Sequence, residues 1–250
     1  MRKKIIVVPY NSDWPKQFER ESHEIKRALG DRCVALHHVG STSISGLCAK
    51  SKIDIIAVVK DISTLGHSLE QAGYLAKGEW NLPLHQGFTK REPNLRVNLH
   101  VFEEGNPEIE QLLLFRDYLK THPETLEEYA HLKQKLVKEA SSHIREKGRF
   151  SGYNLAKNQF IKKVTKLSGF DGLCLRFCMH YDEWEYAKAS LKESFDQNLT
   201  HFVLYKGAEM VGIAQLRGFD QEGLTIRAKD PKFESFINHR IGQWIAYQNY

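Results

Sequence analysis

Two stretches of the chain carry the apolar patterns that predict β-strands. The segment 52–59 (KIDIIAVV) is almost wholly apolar, which predicts a mostly buried strand, and it contains a single acid, Asp54. The segment 95–102 (LRVNLHVF) alternates, so its leucines and valines share one face while Asn98 and His100 lie on the other. Polar side chains beside an apolar core strand predict a functional site on that face.

Helical spacing of apolar residues predicts the other elements in the first two thirds of the chain. A capping residue and a proline within 12–15 (SDWP) begin a helix that Gly30 ends. Further helices are predicted at 61–73 and near 108–121, 124–147 and 154–167. A sheet followed by a helical subdomain predicts an α+β domain over residues 1–168.

The pattern changes at residue 169, where 169–172 (GFDG) predicts a linker. The elements predicted after it are a helix at 182–194, a hairpin within 201–219 that turns at Lys206-Gly207, a strand at 224–230 and a helix near 234–248. Residues 169–250 are therefore predicted to form a second, small α/β segment.

Composition narrows the class of protein. The 250 residues are 41% hydrophobic and 27% charged, which is typical of a soluble globular protein. No apolar run reaches the roughly 18–20 residues of a membrane helix, and only four apolar residues follow the basic N-terminus, so we expect a cytoplasmic protein without a membrane partner. The net charge of +5 is mild and is spread along helices, so it permits a phosphate-bearing ligand without predicting nucleic-acid binding.

The four cysteines fall into two separated pairs. Cys174 and Cys178, with His180, have the spacing of half a zinc site, but no second pair of ligands follows them. We therefore expect reduced thiols with a structural role.

A turn of small residues, Gly40-Ser41-Thr42, precedes the strand that contains Asp54. Glycine lets the backbone approach phosphate oxygens closely, and the amides and hydroxyls of such a turn donate hydrogen bonds to them. The turn therefore predicts phosphate binding, with a tight turn that binds nothing as the alternative. His38 lies just before it and is a further candidate for the site, unless it is an ordinary core histidine.

Six segments in order resemble the GrpB family, a group of small proteins with a nucleotidyltransferase-like fold. They are PYNSDWPKQFERE, HHVGSTSISGLCAKSKIDI, RVNLHVFEEGN, LLFRDYLKTHPE, YAHLKQKL and YNLAKNQFI, and together they cover roughly residues 5–168. In the wider nucleotidyltransferase superfamily, a Gly-Ser turn holds the triphosphate. Two acids placed two residues apart on the next strand, and a third acid on a neighbouring strand, hold divalent metal ions.

The sequence departs from this pattern at the expected metal ligands. Asp54 should be paired with an acid at position 56, which is Ile56, and the neighbouring strand offers Asn98 and His100 instead of a third carboxylate. A two-metal cage cannot be built from these residues. Asp54 is the catalytic and metal-binding candidate, holding one Mg²⁺ with water and substrate oxygens, and His100 is a second catalytic candidate. Alternatively, Asp54 orients the turn or pairs with a nearby lysine or arginine.

The basic segment 87–93 (GFTKREP) resembles the family's basic loop ahead of the second strand. Lys90 and Arg91 in this segment are candidates to clamp a phosphate group, because charged donors bind phosphate oxygens strongly. A solvated loop is the alternative.

The hairpin, strand and helix of the C-terminal segment occur in an order that resembles the middle of a GNAT-type acyltransferase. In that family the helix opens with a Gln/Arg-x-x-Gly-x-Gly turn that binds the pyrophosphate of acetyl-CoA. This chain has Ile237, Arg240 and Gly242 at the aligned positions, so one glycine of two is kept, and it stops at Tyr250 before the strands that complete the acyl-CoA cleft. Acetyl-CoA is therefore not expected as a cofactor.

The leading functional hypothesis is a GrpB-family protein that binds a nucleotide or another phosphate-bearing small molecule. If the protein is also an enzyme, this hypothesis predicts Mg²⁺-dependent nucleotidyl or phosphoryl transfer in which Asp54 takes part. Two alternatives stay open: a non-catalytic interaction module, and CoA-dependent N-acetyl transfer by residues 169–250. The sequence leaves a homo-oligomer open as well.

Overall fold

The computed structural model describes residues 5–65, 67–139 and 151–248. These form two compact units. Unit 1 extends to Gly78 and then from His85 to Phe170, and unit 2 contains Glu79–Leu84 and the chain from Asp171 onward. The short segment Glu79–Leu84 thus belongs to the second unit, although it lies within the sequence range predicted for the first domain. Helices and two sheets together make the protein an α+β structure.

Unit 1 contains a five-stranded mixed sheet. Its strands are β1 (Cys33–Val39), β2 (Ile53–Val59), β3 (Leu75–Gly78), β4 (Gln86–Glu92) and β5 (Leu95–Glu103). Their spatial order is β1-β2-β5-β4-β3, with β2 and β5 parallel and the other pairs antiparallel. The prediction of β2 and β5 is confirmed. The sequence patterns did not predict β1 or β3.

The helices of unit 1 are α1 (Trp14–Leu29), α2 (Ser68–Gln71), α3 (Pro107–Thr121), α4 (Pro123–Lys138), α5 (Gly152–Leu155) and α6 (Asn158–Leu167). Proline in the first turn begins α1, and Gly30 with φ 58° ends it, as predicted. The helix predicted at 61–73 is shorter, with a 3₁₀ turn at Ile62–Thr64 before α2. The predicted continuation to residue 147 lies outside the described residues from 140 onward, and Glu139 already has an extended backbone.

The parallel pairing of β2 with β5 determines which side chains share a face. Asp54 lies opposite Asn98 and Ile56 lies opposite His100, so these four side chains are on one face of the sheet. Val97, Leu99 and Val101 are fully buried, which confirms the alternation predicted for β5.

The segment that includes Lys90 and Arg91 is a strand, not a loop. Residues 86–92 form β4, which pairs with β5 in an antiparallel ladder. The loop prediction is wrong because the charged residues near the end of the segment outweighed the strand-forming Phe88 and Thr89, which are buried. Successive side chains on a strand point to opposite faces, so Lys90 and Arg91 are separated by the sheet.

Unit 2 contains a four-stranded antiparallel sheet of order β6-β7-β8-β9. Its elements are β6 (Leu173–Phe177), α7 (Tyr181–Leu191), β7 (Thr200–Lys206), β8 (Glu209–Leu216), β9 (Leu224–Ala228) and α8 (Pro231–Gln248). The predicted hairpin, following strand and terminal helix are confirmed, and β6 was not predicted. Cys174 and Cys178 are both buried. His180 is the N-cap of α7.

The residues aligned with an acetyl-CoA turn lie inside α8. The helix begins at Pro231, and Ile237 and Ile241 are fully buried against the sheet of unit 2. Backbone amides in a helix interior bond to carbonyls of the preceding turn, so they are not available to a ligand. Ile237, Arg240 and Gly242 therefore do not form a turn at a helix N-terminus.

No helix in the described part of the chain combines the length and the apolar character that crossing a membrane requires.

Candidate functional site

Asp54 packs directly against the glycine of the small-residue turn. Gly40 has φ 70° and ψ −173°, a backbone conformation that is essentially restricted to glycine. A Cβ atom placed on Gly40 would lie 2.7 Å from Asp54 Oδ2. The turn and the carboxylate thus fit together only because position 40 has no side chain.

A chain of hydrogen bonds orients Asp54. Asn98 Nδ2 donates to Asp54 Oδ1 at 2.9 Å, and Arg91 Nη2 donates to Asn98 Oδ1 at 3.0 Å. Lys52 Nζ lies 3.8 Å from the same Asp54 oxygen. Because its oxygen accepts from Arg91, the Asn98 amide directs its nitrogen toward the carboxylate.

Thr42 and His38 support the turn from within the protein. Thr42 is 1% exposed, and its hydroxyl donates to the Lys52 carbonyl at 3.3 Å and lies 3.0 Å from His38 Nε2. His38 lies opposite Ile55, on the face of the sheet that faces away from Asp54, and its ring stacks on Phe18. Burial lowers the pKa of His38 to about 4, so the ring is neutral at pH 7.

Ser41 and Thr42 both line a small pocket of about 80 Å³ beside the turn, and Ser41 is the more exposed of the two. Four lysines and one carboxylate, Asp54, also line this pocket, and the lysines are Lys50, Lys52, Lys133 and Lys157. Such a volume suits a phosphate group and is well below the roughly 300–1,000 Å³ of sites that enclose a whole drug-sized ligand.

Two of these lysines come from the helical subdomain. Lys133 on α4 is 1% exposed, donates to the Cys48 carbonyl and lies 4.5 Å from the centre of the Tyr129 ring. Lys157 lies between α5 and α6. Burial lowers the pKa of Lys133 to about 8. Burial, followed by the positive charges of Lys133 and Lys52, lowers the pKa of Lys157 to about 8 as well.

An aromatic ring holds two of the ammonium groups in place. Tyr153 is 2% exposed, and Lys50 Nζ and Lys157 Nζ lie 4.0 Å and 4.8 Å from the centre of its ring. Cation–π contacts at these distances stabilise an ammonium group that has lost part of its water. The lysines are thus positioned before any ligand arrives.

Two residues predicted from the sequence lie away from this pocket. Lys90 is on the opposite face of the sheet, where its Nζ lies 3.1 Å from the buried Glu21 carboxylate and 5.4 Å from the centre of the Tyr74 ring. His100 Nδ1 lies 3.1 Å from His85 Nε2, and burial lowers the pKa of His100 to about 3.

Ser41, Thr42 and Asp54 therefore line one pocket, Gly40 packs on Asp54, and Asn98 and Arg91 form a hydrogen-bonded chain to Asp54. Sequence reasoning missed all four lysines of the pocket, Lys50, Lys52, Lys133 and Lys157. All of them occur in segments that resemble the GrpB family, HHVGSTSISGLCAKSKIDI, YAHLKQKL and YNLAKNQFI, and this was the available signal.

The donor set of the pocket does not fit a divalent metal ion. Mg²⁺ takes oxygen ligands, and the pocket offers one carboxylate among four lysines. Within residues 5–65, 67–139 and 151–248, no group of three or more His, Cys, Asp or Glu side chains is arranged to hold a metal ion. The arrangement is suited to an anion.

Comparison with known proteins places unit 1 in a family. The sequence model described as "GrpB protein" matches residues 4–167. The chain belongs to the GrpB family. The UPF0157 protein YqkA of Bacillus subtilis is 35% identical over 168 residues, which are 66% of this chain and 47% of YqkA. The UPF0157 protein BH1888 of Halalkalibacterium halodurans is also 35% identical over 168 residues, 65% of this chain and 81% of BH1888.

A solved structure supports the same assignment. The crystal structure of the conserved protein GrpB from Enterococcus faecalis is 30% identical, covers 65% of this chain and 96% of that chain, and superposes with a TM-score of 0.56. This GrpB-family chain spans about half the length of YqkA. The names of these three relatives state no ligand or reaction.

Proposed function

We propose that unit 1 binds the phosphate group of a small molecule, such as a nucleotide, in the pocket beside the Gly40–Ser43 turn. The observation that carries this proposal is the convergence of four lysines on a small pocket that contains one carboxylate. Ammonium groups bind phosphate as point charges, and Ser41 adds a hydroxyl donor.

The depressed pKa values of Lys133 and Lys157 support an anionic ligand. Burying several positive charges together is unfavourable in the free protein, because each ammonium group loses water and repels the others. A bound phosphate would relieve this repulsion. Binding energy would therefore come from groups that the fold already holds close together.

A nucleotidyltransferase-like fold is part of this proposal. It is supported by the mixed sheet and by the glycine turn that precedes β2, the strand that contains Asp54. Transfer chemistry is less well supported than binding. Ile56, where a second acid would be needed, is fully buried beside Asp54, and the Asn98 oxygen accepts from Arg91. We therefore propose ligand binding, without a metal-dependent transfer step, as the function of the pocket.

The order of strands and helices in unit 2 is compatible with the GNAT resemblance. Acetyl transfer is not proposed, because Ile237, Arg240 and Gly242 lie inside α8 and offer no free amides to a pyrophosphate. Among the residues of unit 2 that the structure describes, no feature specifically favours an interaction module.

Calorimetric titration of the protein with ADP and with inorganic phosphate tests the proposal. Ser41→Ala should weaken binding about tenfold or more, because a hydrogen bond to a charged group contributes about 1.5–3 kcal/mol. Ser45→Ala is the matched control, since Ser45 lies on the same loop and is exposed outside the pocket. Equal affinities for both variants, or the absence of binding by the unmodified protein, would contradict the proposal.

A further inference from the structure

The positive charge around a phosphate group bound in this pocket would come from lysine side chains. Lys50 and Lys52 enter from the segment before β2, Lys133 enters from α4, and Lys157 enters from the turn before α6. Three separate parts of the chain thus contribute lysines to the lining of the pocket that contains Asp54.

Oxygen ligands for a cation are correspondingly scarce. Asp54 Oδ1 already accepts from Asn98 and lies 3.8 Å from Lys52 Nζ. The amide oxygen of Asn98 already accepts a hydrogen bond from Arg91. Among the side chains that line the pocket, Asp54 is the acidic one. A divalent cation at Asp54 would also be repelled by the surrounding ammonium groups.

We infer that the lysines neutralise the ligand's phosphate groups in place of a divalent metal ion, so that this pocket binds a diphosphate group without Mg²⁺. This inference rests on the proposed function and gives it a ligand class. The pocket has three more lysines than carboxylates. This excess suits a diphosphate, which carries roughly two to three negative charges near neutral pH, better than a single phosphate, which carries roughly one and a half to two.

Inorganic pyrophosphate is the probe, titrated calorimetrically into the full chain once with EDTA and once with excess Mg²⁺. We expect binding in EDTA, and weaker binding in Mg²⁺ because the cation neutralises part of the charge that the lysines would contact. Binding that occurs only with Mg²⁺ would overturn this inference and leave the proposed function standing. The absence of binding under both conditions would overturn both.

Charge-removing variants connect the result to the pocket. Lys157→Gln and Lys52→Gln should each weaken pyrophosphate binding in EDTA at least tenfold. Lys166→Gln removes the same charge from an exposed position on α6 outside the pocket, and its affinity should equal that of the unmodified protein. Melting temperatures of all three variants check that they are folded. If Lys157→Gln and Lys52→Gln bind pyrophosphate as tightly as Lys166→Gln does, the inference is overturned.

Discussion

Gly40 and Gly46 lie on the same connection between β1 and β2, and both have positive φ, at 70° and 78°. Their surroundings differ. A Cβ on Gly46 would meet open space, whereas a Cβ on Gly40 would meet Asp54 Oδ2 at 2.7 Å. The pair therefore separates the cost of positive φ from the cost of crowding the carboxylate.

Gly40→Ala should destabilise the protein more than Gly46→Ala. Both variants place a side chain at positive φ, which costs about 1–3 kcal/mol, and Gly40→Ala adds crowding of about 1–3 kcal/mol against Asp54. Urea unfolding measures the difference. Adding Asp54→Ala should recover part of the loss at Gly40 and none of the loss at Gly46. Equal losses for the two glycines would show that Asp54 does not restrict the turn.

Proton uptake linked to anion binding is predicted by Lys133, which is buried, and by Lys157, which is partly buried. Lys157 faces Lys133, Lys52 and Asp54, and its pKa of about 8, like that of Lys133, lies far below the 10.5 of a free lysine. A bound anion favours the protonated form, so it raises both pKa values. Protons are then taken up on binding near pH 8, and affinity falls as the pH rises through 8.

Sulfate is the suitable probe because its charge does not change in this range. Calorimetry at pH 8.5 in two buffers of different ionisation enthalpy should show proton uptake, and affinity should be higher at pH 7 than at pH 9. Lys157→Gln should reduce the uptake. Proton release, or an affinity that is constant with pH, would show that these lysines do not contact the anion.

At the scale of the element, β4 shows how a strand assigns different roles to adjacent residues. Lys90 points to the α1 side, where Glu21 is 2% exposed and accepts from Tyr74 at 2.8 Å and from Lys90 at 3.1 Å. Arg91 points to the other side, toward Asn98. A buried carboxylate that loses a donor is costly, whereas a partly exposed amide can bond to water.

Lys90→Ala should therefore reduce stability, whereas Arg91→Ala should reduce phosphate affinity. We expect Lys90→Ala to reduce the free energy of unfolding by about 1–3 kcal/mol, because Glu21 keeps only part of its hydrogen bonding, while leaving phosphate affinity unchanged. Arg91→Ala should weaken phosphate binding, because Asn98 and then Asp54 lose their orientation, with a stability change of less than about 1 kcal/mol. Chemical unfolding and calorimetry distinguish the two. A loss of affinity in Lys90→Ala would contradict the assignment of faces.

The sequence pattern predicted the helix α8 but not the role of the glycine within it. Its apolar residues at helical spacing predicted the helix near 234–248, and the structure confirms it. Gly242 is the glycine that this chain keeps from the GNAT-type turn, and a Cβ on it would meet the Gln221 side chain at 2.6 Å. In the structure this glycine therefore marks a close helix–loop contact.

At the scale of the whole molecule, the family assignment and the pocket both concern unit 1. The GrpB match ends at residue 167, and the pocket residues lie between Ser41 and Lys157. Unit 2 includes the segment Glu79–Leu84, which is joined to α8 by a hydrogen bond of 2.7 Å from Trp244 Nε1 to Glu79 Oε2. No local pattern predicts such a contact, because its partners are 165 positions apart in the sequence.

The sequence alone determined part of the local structure of unit 1. An apolar run identified β2 and alternation identified β5, which put Asp54, Asn98 and His100 on strands, and the start and stop signals around Pro15 and Gly30 identified α1. The glycine turn and the missing acid at position 56 were also readable, because both depend on residue type within a short segment. Each of these features lies within a short segment or repeats every two to four residues, so it can be read directly from the sequence.

The tertiary structure decided which charges meet. Only the packing of α4 and of the α5–α6 turn beside the Gly40 turn brings Lys133 and Lys157 to Asp54, and only the strand register separates Lys90 from Arg91. In the sequence, each of these lysines has the appearance of an ordinary surface residue. The electrostatics of the pocket arise from long-range packing, which buries the ammonium groups together and changes an expected metal site into a cationic one.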